Sequence, residues 1–240
     1  MEKKYLEKTK MLNYDAKSIQ ALIKSRKWPE LDDYRKIGAI YDFVRNDILF
    51  GYNSADLSTA EEVLQDGYGQ CNTKATLLMA LLRGVGIPCR LHGSEVSKHF
   101  QRGATSWLIS VLAPERIVHT WVEVLYLGNW IALEGVITDE SYMSAIKDKH
   151  KNVRGAFAKY AVAVSNLERL NLNWHGEDTF VQNYAVVVDY GVYDNPDSFF
   201  EQHHQTWSKL QNFAYVHYGR KVMNRNVDKI RKRNAKQKGR

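Results

Sequence analysis

The 240-residue chain reads as an α+β protein in which N-terminal helices and one strongly apolar helix pack on an antiparallel sheet. Three observations predict this class. Apolar residues recur at three- and four-residue steps up to about residue 50. A glycine-rich run, Gly67-Tyr68-Gly69, then opens onto the apolar segment 72–85. Finally, β-type segments joined by a tight turn follow between Cys89 and Leu133.

The first helix is expected from about Asp15 to Trp28 on the spacing of Ile19, Leu22 and Ile23, with Pro29 ending it. A second runs from Leu31 to about Phe50 through Ile37, Ile40, Tyr41, Val44 and Ile48. Ser58 to Gln65 opens with a capping-box pattern and makes a short third helix. The helix after Cys71 buries Leu77, Leu78, Leu81, Leu82 and Val85, and Gly84, Gly86 and Pro88 stop it. Strands are expected over Cys89–Val96, Trp107–Val111, Ile117–Tyr126 and Trp130–Leu133. If Leu127 and Gly128 form a two-residue turn, Tyr126 pairs with Asn129 and Trp121 lies opposite Glu134. His119 is then diagonal to Glu134 on the same face.

From about Asp139 the chain reads as mixed helix and loop, with helix at Tyr142–Asp148, Pro196–Gly219 and Asn224–Asn234. Its many aromatic residues, Trp174, Phe180, Tyr184 and Phe199 among them, imply packing onto the rest. The expected division is a core with its N-terminal helices over 1–145, an extension packed on it over 146–219, and a basic tail over 220–240.

Hydrophobic residues make up 44% of the chain, ordinary for a protein that buries a core. The net charge of +7 is uneven: residues 220–240 carry ten Lys or Arg against Asp228 alone, and the remainder is slightly acidic. Such a tail is expected to be a solvated end, with nucleic acid as the alternative partner. The competing possibility is that Val222, Met223, Val227 and Ile230, at helix-like intervals, dock it on the body. The charged start Met1–Lys8 leads into no apolar stretch, and nowhere do about 18 apolar residues run together. No membrane association is therefore expected, and a cytoplasmic location is, with Cys71 and Cys89 reduced. Cys89 reads as a small buried hydrophobe. The eight histidines show no paired spacing with cysteines for a metal, and no His-Glu-x-x-His occurs, so neither metal nor cofactor is expected.

Chemistry concentrates on three residues. Cys71 stands at the first turn of a helix, where unpaired N–H groups and the helix dipole favour a thiolate. His119 begins the alternating segment His119-Thr120-Trp121-Val122-Glu123-Val124, and Glu134 ends Trp130-Ile131-Ala132-Leu133-Glu134. Together they can supply nucleophile, base and orienter. Glu123 shares a face with His119 but is four residues along the strand, about 13 Å away, and reads as a structural hydrogen-bond partner.

From about Tyr41 to Glu134 the sequence resembles the transglutaminase-like superfamily of papain-related cysteine enzymes. The resemblance rests on Gly69-Gln70-Cys71, the helix that follows, Gly86-Ile87-Pro88, His119-x-Trp121-Val122-Glu123-Val124 and Trp130-x-x-Leu133-Glu134. It implies a papain-like core and a Cys71–His119–Glu134 triad acting on amide bonds through a thioester. The family usually carries aspartate where Glu134 stands, and the longer glutamate must reach the imidazole from a different backbone position. Oxyanion donors would be the Cys71 N–H and a side chain: Gln65, six residues before Cys71 as in papain-like enzymes, ahead of Gln70 and Tyr52. Substrates would be a peptide, a protein or a small amide or amine, with hydrolysis slightly preferred over transfer to an amine. The alternative is a non-catalytic binding protein of the same fold whose basic tail contacts nucleic acid.

Overall fold

A computed structural model describes residues 3–105, 113–204 and 213–238, with side chains up to Lys232. Its helices are α1 (Lys17–Ser25), α2 (Asp33–Asn46), α3 (Ala60–Asp66), α4 (Cys71–Gly84), α5 (Glu140–Lys149), α6 (Pro196–Gln202) and α7 (Arg220–Lys238). The strands are β1 (Leu49–Phe50), β2 (Tyr68–Gly69), β3 (Cys89–Ser97), β4 (Arg116–Tyr126), β5 (Asn129–Ala132), β6 (Phe157–Lys159), β7 (Val162–Val164) and β8 (Val186–Tyr193). The expected strand Trp107–Val111 lies outside the described residues. The chain is α+β: the main sheet is antiparallel, in the order β5-β4-β3-β8.

Helix α4 is the centre of the molecule. Every residue from Asn72 to Arg83 is buried, so the helix is covered on all sides rather than along one stripe. It packs against β4 on one side and against α2 and α3 on the other. Its N-terminus is fixed by the loop before it. Gly67, at φ +68°, takes the left-handed conformation that caps α3. At Gly69 an added Cβ would lie 2.8 Å from Lys74 Cγ and from Thr73 Oγ1, so only glycine lets the chain pass this close to the first turn of α4. Asn53 and Thr73 complete the lock, with Thr73 Oγ1 donating to Asn53 Oδ1 at 2.6 Å.

The hairpin forms in the expected register, Tyr126 opposite Asn129 and Glu123 opposite Ala132. Both turn residues have positive φ, Leu127 at 48° and Gly128 at 83°, as a type I′ turn requires. The ladder does not continue to Trp121 and Glu134. Leu133 N still donates to Val122 O at 2.8 Å, and the chain then enters a 3-10 turn, Glu134–Ile137.

Two further differences concern the second half. The expected helix-and-loop region contains β6, β7 and β8, and β8 adds an edge to the main sheet beside β3. Its Val186-Val187-Val188 and Tyr190, Tyr193 carry strand character, but burial alternates only weakly. The basic segment is also not a solvated end. Within α7, Met223 and Val227 are buried, and Arg231 binds the carboxylate of Asp139 at 2.7 Å while donating to Phe50 O at 2.9 Å. Cations occupy the outer face, where Lys221, Arg225, Lys229 and Lys232 are exposed. Among the described residues no helix is long and apolar enough to cross a membrane.

Candidate active site

The first turn of α4 is stitched to β4 by Asn72. Its Nδ2 donates to Val118 O at 3.3 Å and its Oδ1 accepts from Thr120 Oγ1 at 3.1 Å. These bonds flank His119 on the strand, so the residue next to Cys71 sets the height of the imidazole relative to the thiol. Cys71 is partly exposed and carries no disulfide; Cys89 is free and buried. Burial pushes the Cys89 thiol up to about 11, which leaves it inert at neutral pH.

His119 and Glu134 are fully buried, and His119 Nε2 lies 2.7 Å from Glu134 Oε1. The other ring nitrogen, Nδ1, is buried and closes no hydrogen bond. Burial by itself would lower the imidazole's pKa. The nearby Cys71 sulfur, and after it Glu134, outweigh burial and raise it to about 10. A proton therefore resides on the ring at neutral pH.

Glu134 has a second set of partners that the sequence did not announce. Its Oε2 accepts backbone N–H groups from Val181 at 2.7 Å, Gln182 at 2.9 Å and Asn183 at 3.1 Å. The segment holding these donors runs beside residues 132–135: Thr179 N donates to Ala132 O, and Gly135 N to Thr179 O, both at 2.9 Å. The extra methylene of glutamate is used here. One carboxylate spans from the 3-10 turn to the imidazole and to the 181–183 loop. Glu123 is engaged elsewhere, by Arg90 at 2.6 Å and His92 at 2.8 Å. Trp174 is buried against Tyr34 and Tyr126 rather than lining the site.

Gln65 is not brought to this place. The capping box of Thr59 and Glu62 sets the phase of α3 so that Ala60 and Val63 face inward, and Gln65, two residues beyond Val63, is exposed. Gln70 donates from Nε2 to Asp56 Oδ1 at 2.7 Å, and its Oε1 closes no hydrogen bond. Tyr52 is the side chain that reaches the site. It is buried, its hydroxyl has no hydrogen-bond partner, and the charge of Cys71 adds to burial in raising its pKa. It walls a void of about 20 Å³ together with Cys71, His119 and Gln182, room for about one water-sized group. The Tyr52 backbone is held by α7: Asn224 accepts from Tyr52 N at 2.7 Å and donates to Tyr52 O at 3.1 Å.

Cys71 faces a larger cleft of about 460 Å³, lined among others by Tyr52, Asp56, Ile117, Phe200, Tyr215 and Met223. That volume suits a small molecule or a side chain. Met223 and Tyr215 come from α7 and the turn before it, so the C-terminal segment forms part of the cleft wall.

Residues 22–135 match the family model of the transglutaminase-like superfamily. The match begins inside α1 and ends one residue past Glu134, so Cys71, His119 and Glu134 all lie within it. This segment is thus similar to the core of that superfamily. Among solved structures the chain is similar to a Cytophaga hutchinsonii protein provisionally called a cysteine protease, at 17% identity and a TM-score of 0.45, over 80% of this chain and 47% of that one. The chain thus spans under half the length of that structure. No curated protein matches it in sequence.

Proposed function

We propose that the protein is a cysteine enzyme that breaks amide bonds through a thioester on Cys71, passing the acyl group to water or to an amine. The observation that carries this reading is the buried His119–Glu134 pair at 2.7 Å behind a partly exposed Cys71, with the imidazole held protonated. Cys71 Sγ attacks the carbonyl carbon, and the C–N bond breaks as the proton on His119 passes to the leaving amine. His119, now neutral, takes a proton from the incoming water or amine as it attacks the thioester, and the thiolate leaves. Glu134 Oε1 fixes the ring by accepting from Nε2, which leaves Nδ1 for the proton transfers.

The tetrahedral oxyanion needs donors where its charge develops. The Cys71 N–H, at the first position of α4, has no intrahelical acceptor, and the unpaired Tyr52 hydroxyl is the side-chain donor best placed beside it. Water as acceptor needs no site of its own, so hydrolysis is the preferred outcome.

Cys71→Ala tests the reading. Wild-type protein should form a covalent acyl adduct on Cys71 with p-nitrophenyl acetate, seen by intact mass, and release it in water. The variant should form none while melting at nearly the same temperature, since alanine suits a helix start. Turnover retained in Cys71→Ala would remove the thiol as nucleophile.

A further inference from the structure

Asp56 is the one carboxylate among the described residues that line the cleft in front of Cys71. Both neighbours of the thiol in sequence act on it. Gln70 Nε2 donates to it at 2.7 Å, and the Asn72 side chain is near enough to favour its charged form. Both partners are neutral amides. Among the described residues no Lys or Arg forms an ion pair with Asp56, whereas Lys98, the cation lining the same cleft, is satisfied by Glu115 at 2.8 Å and Ala113 O at 3.0 Å. Three aromatic side chains, Tyr52, Phe200 and Tyr215, line the cleft with it. A carboxylate without a counter-ion among the described residues, set among rings, is a setting that attracts organic cations.

We propose that Asp56 is a specificity residue that selects substrates carrying a positively charged basic group, an ammonium or guanidinium, close to the carbonyl that Cys71 attacks. This rests on the reading of Cys71 as nucleophile. Placement supports it: Gln70, which holds the carboxylate, directly precedes Cys71, and Asp56 and Cys71 line the same cleft, so a cation bound there shares the cleft with the sulfur. Burial raises the Asp56 pKa, against the two amide bonds, so its charge is unfavourable in the empty cleft. A bound cation stabilises the carboxylate and gains both the ion pair and the ring contacts. The apolar walls, Ile117 and Met223 among them, take the hydrocarbon part of such a substrate.

The test uses three thiol reagents that differ in charge: trimethylammonioethyl and sulfonatoethyl methanethiosulfonate, with the smaller methyl methanethiosulfonate as the neutral control. Each forms a mixed disulfide on Cys71 Sγ and releases methanesulfinate. Rate constants are measured by intact mass on the full chain, with Cys71→Ala giving the background from buried Cys89. Wild type should react faster with the cationic than with the anionic reagent, and Asp56→Asn should reduce that ratio by about tenfold. The neutral reagent should change little, and Asp56→Glu should keep most of the preference, with melting curves confirming that both variants fold. Brisk labelling with the same charge ratio in wild type and Asp56→Asn overturns the assignment of Asp56 and leaves the nucleophile reading intact. Uniformly slow labelling by all three reagents overturns the nucleophile reading, and this proposal with it.

Discussion

Replacing Glu134 by glutamine separates the two tasks of this carboxylate. One oxygen holds His119 Nε2 at 2.7 Å, and the other accepts three backbone N–H groups at 2.7 to 3.1 Å, two of them buried. A glutamine has a single carbonyl oxygen, so it can satisfy only one side. Turned toward Val181, Gln182 and Asn183, it presents its NH2 to Nε2. The ring must then accept there and carry its proton on Nδ1, where it can no longer take one in exchange with Cys71. By analogy with the amide exchange in a serine-protease triad, kcat/KM should fall by about 10³- to 10⁴-fold. Hydrogen bonds to a charged group contribute about 1.5–3 kcal/mol each and a neutral acceptor less, so stability should fall by about 1–3 kcal/mol. At this chain length that lowers the melting midpoint by about 2–4 °C per kcal/mol. In the opposite orientation the NH2 meets three backbone donors, two of them buried, and the stability loss grows while the imidazole keeps its partner. Hydrolysis of p-nitrophenyl acetate and a melting curve on the same preparation decide the outcome. A folded Glu134→Gln protein with activity within tenfold of wild type would refute the role given to Glu134.

Tyr52→Phe removes the proposed oxyanion donor without leaving a buried partner unpaired. kcat should drop by about 10²-fold with KM nearly unchanged, and stability should hold or rise slightly; an unchanged kcat would exclude Tyr52. Ending the chain at Gly219 removes buried Met223 and Val227, worth about 1.5–3 kcal/mol each, together with the Asn224 clamp on Tyr52. The shortened protein should be insoluble or inactive, and a soluble one with an unshifted midpoint would contradict the docking of α7. Arg231→Met is the milder probe of the same contact. Burial alone would raise the Asp139 pKa, but Arg231, with Ser141 and the Phe50 N–H, lowers it from 3.8 to about 2. The stability this gives is present above the unfolded pKa and is lost as pH falls from about 4 toward 2. Without Arg231, acid unfolding should therefore begin at higher pH.

What could be read ahead of the structure was local. Helix α4 is legible because its apolar run is bounded by Gly67-Tyr68-Gly69 and Gly86-Ile87-Pro88, and the hairpin because Leu127-Gly128 leaves little choice of register. The meeting of His119 and Glu134 follows from that register, although Glu134 reaches the ring from the turn beyond the strand. The parts that were missed depend on partners far away in the chain. The 181–183 loop has no motif, since its contribution is three backbone N–H groups. In α7, Met223 and Val227 are apolar at helical spacing, which left docking open, but nine cations outweigh them in composition, and only the tertiary partners Asp139 and Tyr52 show that the helix docks. Gln65 was chosen by its interval to Cys71, and an interval says nothing of the face on which a helix places its last turn.

The protonation of His119 tests the central claim most directly. In protein labelled with 15N at histidine, with the signal assigned by loss in His119→Gln, the imidazole should titrate near pH 10 in wild type. Its pKa should drop in Cys71→Ala, where the sulfur that opposes burial is gone. Titration at or below the ordinary histidine value of about 6.5 in wild type, or a value unmoved by Cys71→Ala, would contradict a Cys71–His119–Glu134 unit.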